Sequence, residues 1–258
     1  MPPAGDTPDL ETRLQYAERA AADARLEADA ANARLQAFMH GVSHDLRAPL
    51  RAIDGFAARL APKMAADADA RDAVARIRAA TTRMGGLIDG MVEMARVGSV
   101  ELRPTHVDVS LLADWALAEL QDADPGRAVE ATIQPGLEVV GDERLLKTLL
   151  DQLLANAWRF SASRDKVTVA VEGERTGDGL RLRISDRGIG FAPAYAGKLF
   201  QPFQRLHGVD QGAGHGLGLA IARQVAVRHG GDIRAHAVEG EGATFEVRLR
   251  DLQRGETA

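Results

Sequence analysis

The chain has 258 residues, which is enough for two domains of ordinary size. Its 32 basic and 37 acidic side chains give a net charge of −5, which argues against a nucleic-acid-binding surface. The absence of cysteine excludes disulfides and cysteine-ligated metal sites, and no apolar run reaches the roughly 18 residues that a membrane-spanning helix needs, so we expect a cytoplasmic protein.

The N-terminal part of the chain predicts a long helix. Residues 1–9 contain three prolines and one glycine and indicate a disordered start. From Leu14 to Val42, apolar residues alternate at spacings of three and four, which is the seam of a coiled coil. Five seam positions are alanine and bury little surface, so a single helix in solvent is the alternative. After Val42 the spacing changes to four and four, a stutter that locally unwinds a coiled coil.

Beside this stutter, residues 43–50 read Ser-His-Asp-Leu-Arg-Ala-Pro-Leu. Val42 and Leu46 lie about 200° around the helix from His44, so if they face a core, His44 faces outward. A carboxylate at Asp45 that accepts one imidazole N–H makes the other ring nitrogen a better nucleophile. Pro49 removes one backbone hydrogen bond from the helix. By itself, however, such a histidine is more often an ordinary surface residue on a kinked helix.

A second apolar pattern predicts a helical hairpin. Pro62 and residues 63–72 indicate a turn, and a second heptad runs from Val74 to Met91. Each helix carries one apolar stripe, and a hairpin cannot cover both stripes by itself. We therefore expect two copies of the chain to pair into a four-helix bundle.

Beyond residue 98 the composition changes to alternating strands and helices. We expect strands at 107–109, 129–134, 137–140, 167–171, 180–185, 232–237 and 244–249, and helices at 110–120 (capped by Ser110), 142–160 and 217–228. The glycine-rich residues 187–215 predict a lid. The units are a disordered start (1–9), a coiled-coil helix and hairpin (10–98), a linker (99–105), an α/β domain (106–250) and a tail (251–258).

Four segments of this second half carry polar or glycine-rich patterns. Gln152, Asn156 and Arg159 share one face of the predicted helix 142–160. The other segments read Asp-Arg-Gly-Ile-Gly at 186–190, Leu-Phe-Gln-Pro-Phe-Gln-Arg at 199–205 and Gly-His-Gly-Leu-Gly-Leu at 214–219. When glycines precede a helix, a phosphate can approach the free N–H groups of its first turn. Each pattern is weak alone, since Asp-x-Gly-x-Gly also occurs in hairpins, but their order is specific.

Taken together, these motifs resemble those of the sensor histidine kinases of two-component systems, whose H-box is similar to residues 43–50. Residues 151–161 are similar to the N-box, and the three later segments to the G1-, F- and G2-boxes. The resemblance covers about residues 35–250 and is greatest to the phytochrome and PAS-linked branch. It implies a helical hairpin that forms a dimeric four-helix bundle with an N-terminal coiled coil, followed by an α/β-sandwich Bergerat (GHKL) ATP-binding domain.

The resemblance also implies roles for individual residues. His44 would accept a phosphoryl group from ATP, and Asp45 would orient the imidazole and take its proton. Asn156 would be the Mg²⁺ ligand. The expected nucleotide contacts are Asn156, Arg159, Asp186, Gly188, Gly190, Phe200, Phe203, Arg205, Gly214, Gly216, Gly218 and Leu219.

The partners that the resemblance implies are a second copy of the chain and the receiver domain of a response regulator. An upstream sensor domain is expected outside this chain, and nucleic acid is not expected as a partner. The sequence leaves open whether phosphorylation runs within one protomer or between two.

Two other functions compete with a kinase. ATPases of the gyrase, Hsp90 and MutL kind have glutamate where this chain has Gln152, and an amide cannot take a proton from water, so hydrolysis should be poor. A catalytically dead scaffold would be expected to lack His44, Asn156 or Asp186. The chain also departs from the kinase pattern, with Arg159 for lysine, His215 for a small hydroxyl residue and Ala48 for the Thr or Asn of relatives that act as phosphatases.

Overall fold

The computed structural model describes residues 10–64, 66–204 and 215–253, so the predicted disordered start lies outside the described residues. Two long helices form the predicted hairpin, α1 (Leu10–Leu60) and α2 (Ala68–Ser99), joined through a 3-10 turn at Ala61–Met64. The prediction of a turn as far as residue 72 was too long. Asp67 caps α2, because its carboxylate accepts hydrogen bonds from the backbone N–H groups of residues 69 and 70.

The hairpin buries only part of each apolar stripe. On α2, Val74 and Ile88 are buried, whereas Ile77 and Met84, from the same heptad, are 46% and 42% exposed. On α1, Phe38 is 64% exposed. The single chain therefore leaves a long apolar face on the hairpin.

The second half is a two-layer α/β domain. Its elements in order are β1 (Thr105–Asp108), α3 (Val109–Ala123), β2 (Val129–Ile133), β3 (Glu138–Gly141), α4 (Glu143–Phe160), β4 (Val167–Thr176), β5 (Gly179–Asp186), α5 (Gly218–Arg228), β6 (Asp232–Val238) and β7 (Gly242–Arg250). The main sheet has the order β2-β4-β5-β7-β6, in which only β2 and β4 are parallel. A small antiparallel sheet pairs β1 with β3. The predicted fold class is confirmed.

One core joins the three helices to the sheet. Alternate residues of the central strands, such as Leu182 and Val247, point into it, together with Leu150 of α4 and Val225 of α5. Leu102, within the predicted linker, is also part of this core. The polar sides of α4 and α5 therefore have fixed positions at one end of the sheet.

The cap predicted for α3 was wrong. Asp108 is the capping residue, since its carboxylate accepts a hydrogen bond from Leu111 N at 3.0 Å. Ser110 is buried inside the helix, where its hydroxyl donates to Gln134 O at 2.8 Å and accepts from Leu137 N at 3.0 Å. It therefore joins α3 to the turn between β2 and β3.

Candidate functional site

A cavity of about 430 Å³ lies where α4, the start of α5 and the ends of β5 and β7 meet, with α2 on a further side. Seven of the predicted nucleotide contacts line it: Asn156, Arg159, Asp186, Gly190, Gly216, Gly218 and Leu219. Of the others, Gly188, Phe200 and Phe203 lie outside the lining, and Arg205 and Gly214 lie outside the described residues. Motifs that are far apart in the chain thus form one site.

Helix α4 positions the first group of side chains. Its start is set by Asp142, whose carboxylate accepts from the backbone N–H groups of residues 144 and 145. A row of buried leucines faces the core, which turns Gln152, Asn156 and Arg159 toward the cavity. Asn156 is buried, and its Oδ1 accepts a hydrogen bond from Arg159 Nη1 at 3.1 Å. A carbonyl oxygen and a guanidinium thus lie side by side, a pair suited to a hard cation and a phosphate.

Asp186 ends β5 at another side of the cavity. Its Oδ1 accepts from Gly188 N at 2.8 Å and from Ala243 N at 3.3 Å. Burial raises the pKa of this carboxyl, and the two backbone hydrogen bonds oppose the rise. Because both amides bond to Oδ1, Oδ2 is available to a ligand amino group. Gly188 therefore contributes through its backbone to the position of Asp186.

Two glycines are required by the backbone around the cavity. Gly190 has φ of +63°, and a Cβ there would lie 2.1 Å from Val238 O. Gly216 has φ of +72°, and a Cβ there would lie 2.9 Å from Gln204 O. Side chains at either position would both strain the backbone and close the space.

Phe200 and Phe203, which lie within the predicted lid, have different environments. Phe200 is buried in the core, whereas Phe203 is 57% exposed and has φ of +64°. The backbone N–H of Phe203 donates to Gly216 O at 2.8 Å, which joins the two sides of residues 205–214.

Helix α2 contributes four residues to the lining that the sequence analysis did not identify: Gly86, Asp89, Gly90 and Glu93. Both acids are paired. Asp89 accepts from Arg47 of α1 at 2.7 Å, and Glu93 accepts two hydrogen bonds from Arg96 at 2.6 and 2.9 Å. The hydrogen bonds from Arg96 lower the pKa of Glu93.

His44 lies on the outer surface of α1 with its side chain 82% exposed. The exposure agrees with the prediction, but Leu46, which was expected to face a core, is itself 43% exposed. Nδ1 of His44 is 3.3 Å from Oδ1 of Asp45, so Asp45 can accept a hydrogen bond from Nδ1–H in the tautomer that leaves the lone pair on Nε2. Among the described residues, those that line the cavity include none from α1. Arg47 of α1 nevertheless donates a hydrogen bond to Asp89, which is in the lining.

Comparison with known proteins identifies both halves. Residues 34–100 match the His Kinase A (phospho-acceptor) domain, and residues 141–253 match the histidine kinase-, DNA gyrase B- and HSP90-like ATPase. The chain is 32% identical to the phytochrome-like protein Cph1 of Synechocystis sp., over 90% of this chain and 31% of that protein. It is also 32% identical to the histidine protein kinase DivJ of Caulobacter vibrioides, over 91% of this chain and 40% of that protein.

Among solved structures, full-length ShkA in complex with AMPPNP is similar with a TM-score of 0.60 and 25% identity, over 85% of this chain and 47% of that one. The chain spans from about a third to about half of the length of the curated relatives that it matches. No helix in the part of the chain that the structure describes is long and apolar enough to cross a membrane.

Proposed function

Because the chain belongs to the sensor histidine kinases of two-component systems and carries their phosphoacceptor and ATP-binding domains, we propose that it phosphorylates its own His44 from ATP. The phosphoryl group then passes to an aspartate of a response-regulator receiver domain. The observation that carries the proposal is the convergence on one cavity of Asn156 and Arg159, from one motif, and Asp186, from another.

Different residues of the cavity contact different parts of the nucleotide. Oδ2 of Asp186 accepts from the adenine amino group at one end of the cavity. At the other end, Arg159 and the N–H groups at the start of α5 contact phosphate. Asn156 Oδ1 fits a Mg²⁺ ion, which when bound neutralises charge on the phosphates. Enclosure of the base by apolar residues such as Phe245 excludes water.

His44 and Asp45 supply the acceptor. Nε2 of His44 forms a bond to the γ-phosphorus while the bond from that phosphorus to the β,γ-bridging oxygen breaks, and ADP leaves with the electron pair. Asp45 accepts the Nδ1 proton, which relieves the positive charge on the ring. Because the side chain of His44 is exposed, the same nitrogen can afterwards meet a receiver domain.

The hairpin fits a homodimer. Many large apolar residues of α1 and α2 are exposed to solvent in the single chain, among them Leu35, Phe38, Ile53, Ile77 and Met84. A second hairpin would cover this face and complete a four-helix bundle.

Simple ATP hydrolysis is less well supported by the cavity. Gln152 cannot take a proton from water, and Glu93, which lines the same cavity from α2, is held by Arg96 with a lowered pKa. Asp89 is likewise paired with Arg47. Neither carboxylate that α2 contributes to the described lining is therefore a free base for water.

The test is incubation with γ-labelled ATP and Mg²⁺ of the native chain, His44→Ala and the control His40→Ala. His40 lies one turn earlier on α1 and is also exposed. We expect acid-labile label on the native chain and on His40→Ala, and none on His44→Ala. Label that persists in His44→Ala would contradict the assignment, and release of inorganic phosphate without labelled protein would favour an ATPase.

A further inference from the structure

The ATPase domain docks on α2 of its own chain through α5 and the residues just before it. A Cβ added at Gly86 would lie 1.8 Å from Nε2 of His215, and one added at Gly90 would lie 2.7 Å from Cδ1 of Leu217. Glycine at these two positions leaves room for both side chains in their present conformations against the backbone of α2. The two glycines of α2 therefore allow the residues before α5 to approach α2 closely.

Arg228 holds the other end of the same contact. Its guanidinium donates to the backbone oxygens of Val97, Gly98 and Val100 at 3.2, 2.6 and 2.6 Å. Carbonyls at a helix C terminus lack partners within the helix, so a cation there is favourable. Contacts at both ends of α5 fix the register of the ATPase domain on α2.

This register makes α2 a wall of the nucleotide cavity. Asp89 and Glu93, one turn apart, both line it. Glu93 also accepts a hydrogen bond from Thr148 of α4 at 3.3 Å, which ties this wall to the helix that carries Asn156. The turn of α2 between Asp89 and Glu93 thus borders the cavity.

The same turn faces α1 of the same chain. Asp89 bonds to Arg47, which follows His44 by about one helical turn. The two helices of the hairpin are antiparallel. Moving toward the N terminus of α1, from Arg47 to His44, therefore corresponds to moving toward the C terminus of α2, from Asp89 toward Glu93. His44 therefore lies level with the cavity-lining turn of its own α2.

We propose that phosphoryl transfer runs in cis, so that the nucleotide cavity of each protomer serves the His44 of the same chain. The proposal rests on the proposed function and decides what the sequence left open. In a four-helix bundle α2 contacts α1 of its own chain and α1 of the partner on different sides. The side on which Asp89 lines the cavity is the side on which it bonds to its own Arg47.

The experiment uses heterodimers of differently tagged chains, co-expressed and purified through both tags. In the first, one chain carries His44→Ala and the other Asn156→Ala. In the second, one chain is native and the other carries both substitutions. After incubation with γ-labelled ATP and Mg²⁺, cis transfer labels the second heterodimer and leaves the first at the level of the His44→Ala homodimer. Transfer in trans gives the opposite pattern.

Label in the first heterodimer, whatever the second shows, overturns cis transfer. A native homodimer that takes up no label contradicts the proposed function instead, so the two failures are distinct. The doubly substituted homodimer is the background control for both measurements.

Discussion

At the scale of the residue, Asp186 combines a cost to folding with a role in binding. Burial raises the pKa of its carboxyl above the value in the unfolded chain. A carboxyl group whose pKa is raised in the folded state lowers the free energy of unfolding most at pH values above that pKa, because there it is ionised inside the protein. Yet it is the ionised form that best accepts a hydrogen bond from an adenine amino group.

Asp186→Asn should separate the two effects. The amide oxygen still accepts from the N–H groups of Gly188 and Ala243, and the buried charge is removed. We expect the nucleotide-free protein to unfold at the same or a higher temperature, and nucleotide affinity to fall roughly 10- to 150-fold, as for a lost hydrogen bond to a charged group. Thermal unfolding and nucleotide titration measure both, with the exposed Asp165→Asn as control. Native affinity in Asp186→Asn would refute its role.

Asn156→Ala should act through the metal. We expect binding of nucleotide without Mg²⁺ to change little, because Arg159 and the amides of α5 remain. The gain in affinity that Mg²⁺ gives the native protein should disappear, whereas Asp186→Asn should retain that gain. Titrations of both variants with and without Mg²⁺ make the comparison. The division of roles fails if the two variants depend on Mg²⁺ to the same degree.

Ala48 bears on the reverse reaction. It lies one turn after His44 and is exposed, where a methyl group offers water neither a donor nor an acceptor. We expect weak dephosphorylation of a phospho-receiver and faster dephosphorylation by Ala48→Thr, since a lost positioning contact costs on the order of a hundredfold. Release of inorganic phosphate with ADP and Mg²⁺ is the readout. Fast release by the native chain, unchanged in Ala48→Thr, would count against this explanation.

At the scale of the elements, His229 joins the end of α5 to the start of α4. Its ring is fully buried, with Nδ1 donating to Val225 O at 2.8 Å and Nε2 accepting from Asp142 N at 3.0 Å. Burial lowers the pKa of His229, and the nearby charge of Arg228 lowers it further. The hydrogen bond to Val225 and the charge of Asp142 act in the opposite direction and raise the pKa. Only the neutral ring can accept from Asp142, the residue that caps α4.

Acid should therefore loosen this junction. Because the folded pKa of His229 lies below the unfolded value of about 6.5, its contribution is complete above that value and is lost as the pH falls below it. We expect the free energy of unfolding to decrease from pH 7 to pH 5 less steeply in His229→Gln than in the native chain. Denaturant titrations measure this, with the exposed His236→Gln as control. Equal slopes in the native chain and His229→Gln would exclude the effect.

Elements whose signals are local could be predicted from the sequence, and those set by distant contacts could not. Helix α4 was predicted at both ends because Asp142 caps it and its leucines follow one face. The start of α2 was missed because the turn signal of Pro62 obscured the cap at Asp67. The part of α2 in the cavity was missed because no local signal in the sequence shows that His215 and Leu217 pack against Gly86 and Gly90.

At the scale of the whole molecule, the exposed hairpin face implies that the chain works as a pair. Leu35→Asp places a charge in this face, where Leu35 is 52% exposed in the single chain. We expect it to shift the mass measured by light scattering at micromolar concentration from dimer toward monomer. The control is Leu111→Asp on α3, which is 65% exposed and outside the hairpin. A native chain that is monomeric under these conditions would contradict the dimer.

In the proposed reaction, the nucleotide cavity serves the phosphorylation of one histidine on α1. The most direct measurement is tandem mass spectrometry, under conditions that preserve phosphohistidine, of the native chain after incubation with ATP and Mg²⁺. We expect a phosphoryl group on His44 and none on His40 or the buried His229. A phosphoryl group on another residue, or an unmodified chain that has converted ATP to ADP, would contradict it.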